Sequence, residues 1–110
     1  MVPRIIHWDP QWGPINEQAM SRLLRAEGYS VSKYHYPPGT VFPMHTHPQD
    51  KKDTVLRGQL KISWEGGSAV LQPGDMIEIE AGVRHSAEVV GEETVVSLDA
   101  TRKAEGIGNR

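Results

Sequence analysis

His45 and His47 in Pro43-Met44-His45-Thr46-His47-Pro48 are separated by one residue, and on an extended backbone that spacing turns both imidazoles to one face. His85 lies in a second segment that also reads as extended, so a fold that joins the two segments offers three ring nitrogens to one divalent ion. Neutral imidazoles bind such ions at about 2.0–2.1 Å in zinc sites and suit iron, nickel and copper as well. Positions left open on the ion would take water or a small molecule. The chain has no cysteine, which removes disulfides, thiolate nucleophiles and cysteine metal sites together. Asp53, Asp50 and Gln49 are within reach of the pair as further oxygen ligands.

What must position these histidines is a chain of 110 residues, the length of a single domain. Residues 1–14 contain Pro3, Pro10, Pro14, Trp8 and Trp12 and read as an irregular arm, of the sort that packs on a neighbouring subunit. Over residues 15–28, Ile15, Ala19, Leu23 and Ala26 follow helical spacing with Met20 and Leu24 beside them, Asn16 as the cap and Gly28 as the stop. From residue 29 to 100 the sequence breaks into short extended runs separated by glycine and proline turns. Eight strands are expected, at 29–36, 40–42, 54–57, 60–64, 68–71, 76–80, 85–90 and 94–100. Residues 101–110 are polar and read as a fraying tail. The fold class is all-β, a sandwich or barrel with one N-terminal α-helix.

Two glycine-histidine patterns carry a family resemblance. Gly39, His45, His47, Lys51 and Gly58 resemble the first cupin motif, G-x5-H-x-H-x3,4-E-x6-G, with Lys51 where that family has glutamate. Gly74, Glu80, Gly82 and His85 resemble the second, G-x5-P-x-G-x2-H-x3-N, with Glu80 for proline and Val89 for asparagine. Residues 59–73 between them form a short intermotif segment. The resemblance implies a double-stranded β-helix, the jelly-roll barrel of cupins. It also implies a bound divalent transition metal (iron, manganese, zinc, nickel or copper) on His45, His47 and His85, and a homodimer.

Lys51 is the main departure from the pattern. An ammonium turned toward a dication in a low-dielectric cavity is strongly unfavourable, so Lys51 turns outward, loses its proton, or pairs with Asp53 on the same strand face. Asp53 is then a displaced fourth ligand or a partner that orients a histidine or water, and a site of the three histidines alone stands equal with it. A solvated charged turn over residues 50–53 is the alternative. Lys51 and Asp53 are also the candidate proton carriers of an enzyme.

The function expected is that of a metal-dependent enzyme of dioxygenase, isomerase or decarboxylase type acting on a small organic molecule. The alternative is a non-catalytic module that binds or senses a small ligand or metal. A net charge of -2 with no basic stripe argues against a nucleic-acid partner. No apolar run is long enough for a membrane span or signal peptide, which makes the cytoplasm the expected location.

Overall fold

A computed structural model describes residues 2–104. The helix is α1 (Glu17–Ala26), and the strands begin with β1 (Arg4–Ile6), β2 (Ser30–Tyr36), β3 (Val41–His45) and β4 (Asp50–Thr54). They continue with β5 (Gln59–Trp64), β6 (Gly67–Leu71), β7 (Met76–Ile79), β8 (His85–Val90) and β9 (Val95–Arg102). One sheet has the order β1-β7-β4-β9-β2 and the other β3-β8-β5-β6, with every named pair antiparallel. This is the sandwich of a jelly-roll barrel, with a helix laid on one outer face.

The helix is shorter than the expected 15–28, and its buried pair is Met20 and Leu24, while Ile15 and Ala26 of the expected apolar face are exposed. Asn16 is extended, its Oδ1 accepts the Ala19 N–H at 2.8 Å, and the chain leaves the helix through Gly28. Glu17 in the first turn and Arg25 in the last complement the helix dipole. Met20 and Leu24 are fully buried, packed with Tyr29, Met76, Leu98 and Ala100 on the outer face of the five-stranded sheet. The second core lies between the sheets, where Ile77, Ile79 and Val95 of one meet Leu60, Ile62, Leu71 and Val89 of the other. The inner strands β7, β4 and β9 of the larger sheet are therefore covered on both faces, and consecutive residues serve different cores.

The N-terminal arm differs from the expectation of an irregular segment. Arg4, Ile5 and Ile6 pair with Glu78, Ile77 and Met76, closing the β7 edge of the sheet within the same chain. His7 Nδ1 lies 2.7 Å from Asp75 Oδ1, and Trp8 packs edge-on against Trp12 with centroids 5.2 Å apart. The proline-rich sequence hid a strand of only three residues, too short for an alternating pattern to register.

Three other boundaries move. The expected strand at 54–57 is instead β4 at Asp50–Thr54, because the buried Lys51 and Lys52 find acidic partners and the segment hydrogen-bonds to both β7 and β9. The strand expected at 40–42 runs on to His45 through Pro43, which β3 tolerates as an edge strand with a register shift between Phe42 and His45. Thr101 and Arg102, assigned to the tail, belong to β9, and residues 105–110 lie outside the described residues.

The glycines of the two motifs turn the chain where L-residues are strained. Gly58 has φ of +82°, and a Cβ there would stand 3.0 Å from the Thr94 carbonyl oxygen and from Val95 Cα, both backbone atoms. Gly39 has φ of +86° with nothing among the described residues within 4 Å of its would-be Cβ. Gly58→Ala is therefore expected to destabilise by about 2–4 kcal/mol, against about 1–2 kcal/mol for Gly39→Ala, since only the first adds a clash to the backbone strain. Urea unfolding of both variants checks the ranking, and equal losses would contradict the contact at Gly58.

Candidate metal centre

The three histidines arrive from different elements. His45 ends β3 and is the register partner of His85 at the start of β8, so pairing of these strands alone puts two rings side by side. His47 lies beyond the strand, in the loop to β4. That loop is tied to the turn before β8 by two hydrogen bonds: Gly82 N–H donates to the His47 carbonyl at 2.9 Å, and Ala81 N–H to Asp50 Oδ1 at 2.9 Å. The second motif thus supplies His85 and also grips the segment that carries His47.

Ring centroids are 4.6 Å apart for His45 and His47, 4.4 Å for His45 and His85, and 5.3 Å for His47 and His85. Each ring offers one nitrogen to a group whose ligand atoms all lie within 4.8 Å of one another. For His45 and His85, second contacts fix which nitrogen this is. His45 Nδ1 lies 2.6 Å from the Pro43 carbonyl oxygen and His85 Nδ1 2.9 Å from that of Val83. A carbonyl only accepts, so both rings carry hydrogen on Nδ1 and leave the Nε2 lone pair free, the arrangement that metal-bound histidines use. Burial, followed for His47 by the charge of Lys51, holds the His47 and His85 rings below the ordinary imidazole range. Both are neutral at pH 7. The donor set fits a divalent transition ion.

Lys51 does point inward. Its ammonium is bound by Asp99 and lies 3.8 Å from Asp53 Oδ1, with only 6% of the residue exposed. Of the three outcomes open to Lys51, pairing is the one observed, with Asp99 as the nearer partner. Asp53 and Asp99 face each other directly across β4 and β9. Burial and the neighbouring Asp99 raise the Asp53 carboxyl to about 7, against the opposing pull of Lys51. Asp53 is not in the group of metal-capable atoms, which among the described residues consists of His45, His47 and His85. Its carboxyl stands with Lys51 and Asp99.

Both clusters open on one cavity of about 130 Å³ between the sheets. Tyr36, Phe42, Leu60 and Ala87 give it apolar walls, and Ser97 adds a hydroxyl. The Tyr36 phenol keeps its proton well above the usual range, through burial first and then Asp99 and Asp53. His35 faces away from the cavity, exposed on the other side of β2. Asp99 and Ser97 went unnoticed in the sequence; the alternation of β9 marks both as inward, but nothing local says that they meet Lys51.

The sequence profile of the family described as Cupin domain matches residues 32–101. This chain belongs to the cupin family. Among curated proteins the cupin is 28% identical over 86 residues to germin-like protein subfamily 1 member 4 of Arabidopsis thaliana. That match covers 70% of the chain and only 39% of the germin-like protein, so the cupin spans well under half of that relative. Among solved structures it resembles a cupin protein from Bacteroides fragilis, at 25% identity and a TM-score of 0.61 over 74% of this chain and 71% of that one. DMSP lyase DddQ from Ruegeria pomeroyi matches at 23% identity and a TM-score of 0.62, over 74% of this chain and 40% of the lyase. KdgF from Halomonas sp. matches at 20% and 0.60, over 70% and 72%. These last two likenesses show the cupin fold alone.

Proposed function

We propose that this cupin binds a divalent transition metal (iron, manganese, zinc, nickel or copper) on His45, His47 and His85 and catalyses proton transfer on a small organic molecule, in an isomerisation or decarboxylation. The reading is carried by one observation: the Asp53 carboxyl, grouped with Lys51 and Asp99, lines the same 130 Å³ cavity as the three imidazoles, and burial with the neighbouring Asp99 raises its pKa to about 7. A group that titrates near neutral pH is suited to both accepting and donating a proton. A bound ion would supply Lewis acidity toward an oxygen of the substrate. Asp53 takes or returns the proton, and Lys51 compensates the charge that develops on the carboxyl pair. Tyr36, Phe42 and Leu60 limit access of water.

The cavity is comparable to one that holds benzene, about 150 Å³, which limits the enclosed part of a ligand to about six non-hydrogen atoms. The test has two parts. Elemental analysis of protein purified without chelators or a histidine tag is expected to find a transition metal in wild type and little in His45→Ala. Wild-type protein in D2O is then expected to introduce deuterium next to the carbonyl of small oxo acids or hydroxyketones, or to release carbon dioxide from them, and Asp53→Asn to lose that activity. Oxygen consumption without exchange would favour a dioxygenase, and tight ligand binding without turnover a non-catalytic module. A metal-free protein that cannot be loaded would refute the proposal.

We further propose a homodimer, supported by the β2 edge of the larger sheet, which pairs with no further strand among the described residues. Light scattering is expected to give twice the chain mass of 12.2 kDa. Among the described residues no helix is long and apolar enough to cross a membrane, and a cytoplasmic location is part of the same proposal.

A further inference from the structure

Tyr34 is a large aromatic on the inward face of β2, yet 46% of it is exposed. It sits directly across from Ser97, which lines the histidine cavity, and two residues before Tyr36, which lines it too. The Tyr34 and Tyr36 rings are parallel within 10°, with centroids 5.9 Å apart, and Tyr36 meets Phe42 edge-on at 4.9 Å. An aromatic row thus leads from the cavity wall to the surface. It does so where β2, the edge of one sheet, faces β3, the edge of the other, and among the described residues no strand pairing closes that seam. Lys33, on the opposite face of β2, reaches Glu17 of the helix, which confirms that the tyrosines point toward the barrel interior.

We infer that Tyr34 is the outer wall of the ligand site, so that a molecule whose small metal-binding head sits at the histidine group extends a flat ring onto the exposed Tyr34 face. The inference rests on the metal-site reading above. The enclosed volume admits the head alone, and a ring leaving it along the aromatic row continues a stack that Tyr36 and Tyr34 already form. Offset stacking of aromatic rings adds affinity beyond burial of area. The ligand class is a small oxygen chelator bearing an aromatic or other flat ring.

Acetohydroxamate and benzohydroxamate share one chelating head and differ by a phenyl ring, so calorimetric titration of both into zinc-loaded protein isolates the ring. Benzohydroxamate is expected to bind wild type more tightly by about threefold to tenfold. Tyr34→Phe should keep that preference and Tyr34→Ala should lose it, with acetohydroxamate affinity and zinc content unchanged. A preference that survives Tyr34→Ala, a wild type that shows none, or zinc-loaded protein that binds neither compound would overturn the inference. Failure to take up zinc, measured separately by elemental analysis, would instead refute the metal site and remove the basis for the subsite with it.

Discussion

His85→Ala is expected to lower affinity for a divalent transition metal by at least about a hundredfold, more than the ten- to hundredfold typical of losing a group that merely orients a ligand. Two imidazoles would remain, and among the described residues no other side chain belongs to the group. His85 is almost fully buried, so its replacement also leaves a cavity and lowers stability. His47→Ala separates the two effects, because His47 is only half-buried and lies in a loop. Competition of each variant against a chromophoric chelator for zinc gives the affinities, and urea unfolding gives the stabilities. If all three histidine variants hold zinc as wild type does, the centre is elsewhere.

Acid should release the ion for a reason of known sign. The folded pKa values of His47 and His85 lie below the ordinary 6.5, so the stability these neutral rings contribute is complete above pH 6.5 and is lost as pH falls through the lowered values. Affinity is therefore expected to be nearly constant above neutrality and to decline on the acid side.

The second large effect belongs to Lys51. Lys51→Met is expected to destabilise the metal-free protein by about 3–5 kcal/mol at pH 8, the magnitude for removing one partner of a buried ion pair. Its loss leaves Asp53 and Asp99 facing each other without a cation. At pH 5 the loss should be smaller, since Asp53 then carries a proton. For Asp53 itself, the folded pKa rises from 3.8 to about 7, so its contribution to stability is complete below 3.8 and is lost as pH rises through about 7. Asp53→Asn removes that dependence and is expected to be more stable than wild type above pH 7. Urea unfolding of the three proteins at pH 5 and pH 8 decides the matter. An Asp53→Asn protein with the wild-type pH slope would mean that the carboxyl does not titrate in this range.

Much of the site was legible because its parts are local. Turn glycines, paired histidines and an asparagine cap each leave a mark within a few residues. Gly39, His45, His47, Gly74, Gly82 and His85 thus pointed to the barrel and to the three rings that it gathers. β4 was misplaced because charged residues usually signal solvent, and the groups that neutralise Lys51 and Lys52 are remote in sequence. Asp99 lies 48 residues beyond Lys51, and Glu27 25 residues before Lys52. The arm strand escaped for a related reason, since three residues acquire a strand geometry only when β7 is there to receive them.

The two adjacent lysines of β4 also fix how that strand can be threaded. Lys51 serves the cavity, while Lys52, 3% exposed, turns to the helix side and meets Glu27 at 2.8 Å and Glu78 at 3.4 Å. A one-residue slip would exchange the faces of every side chain in the strand. In the slip that moves each residue into the place of the one before it, Asp53 would be driven in among Glu27 and Glu78, and Asp99 would be left opposite an uncharged threonine. Misalignment in that direction is thus opposed by like-charge repulsion, a bar to slippage that an all-apolar strand would lack.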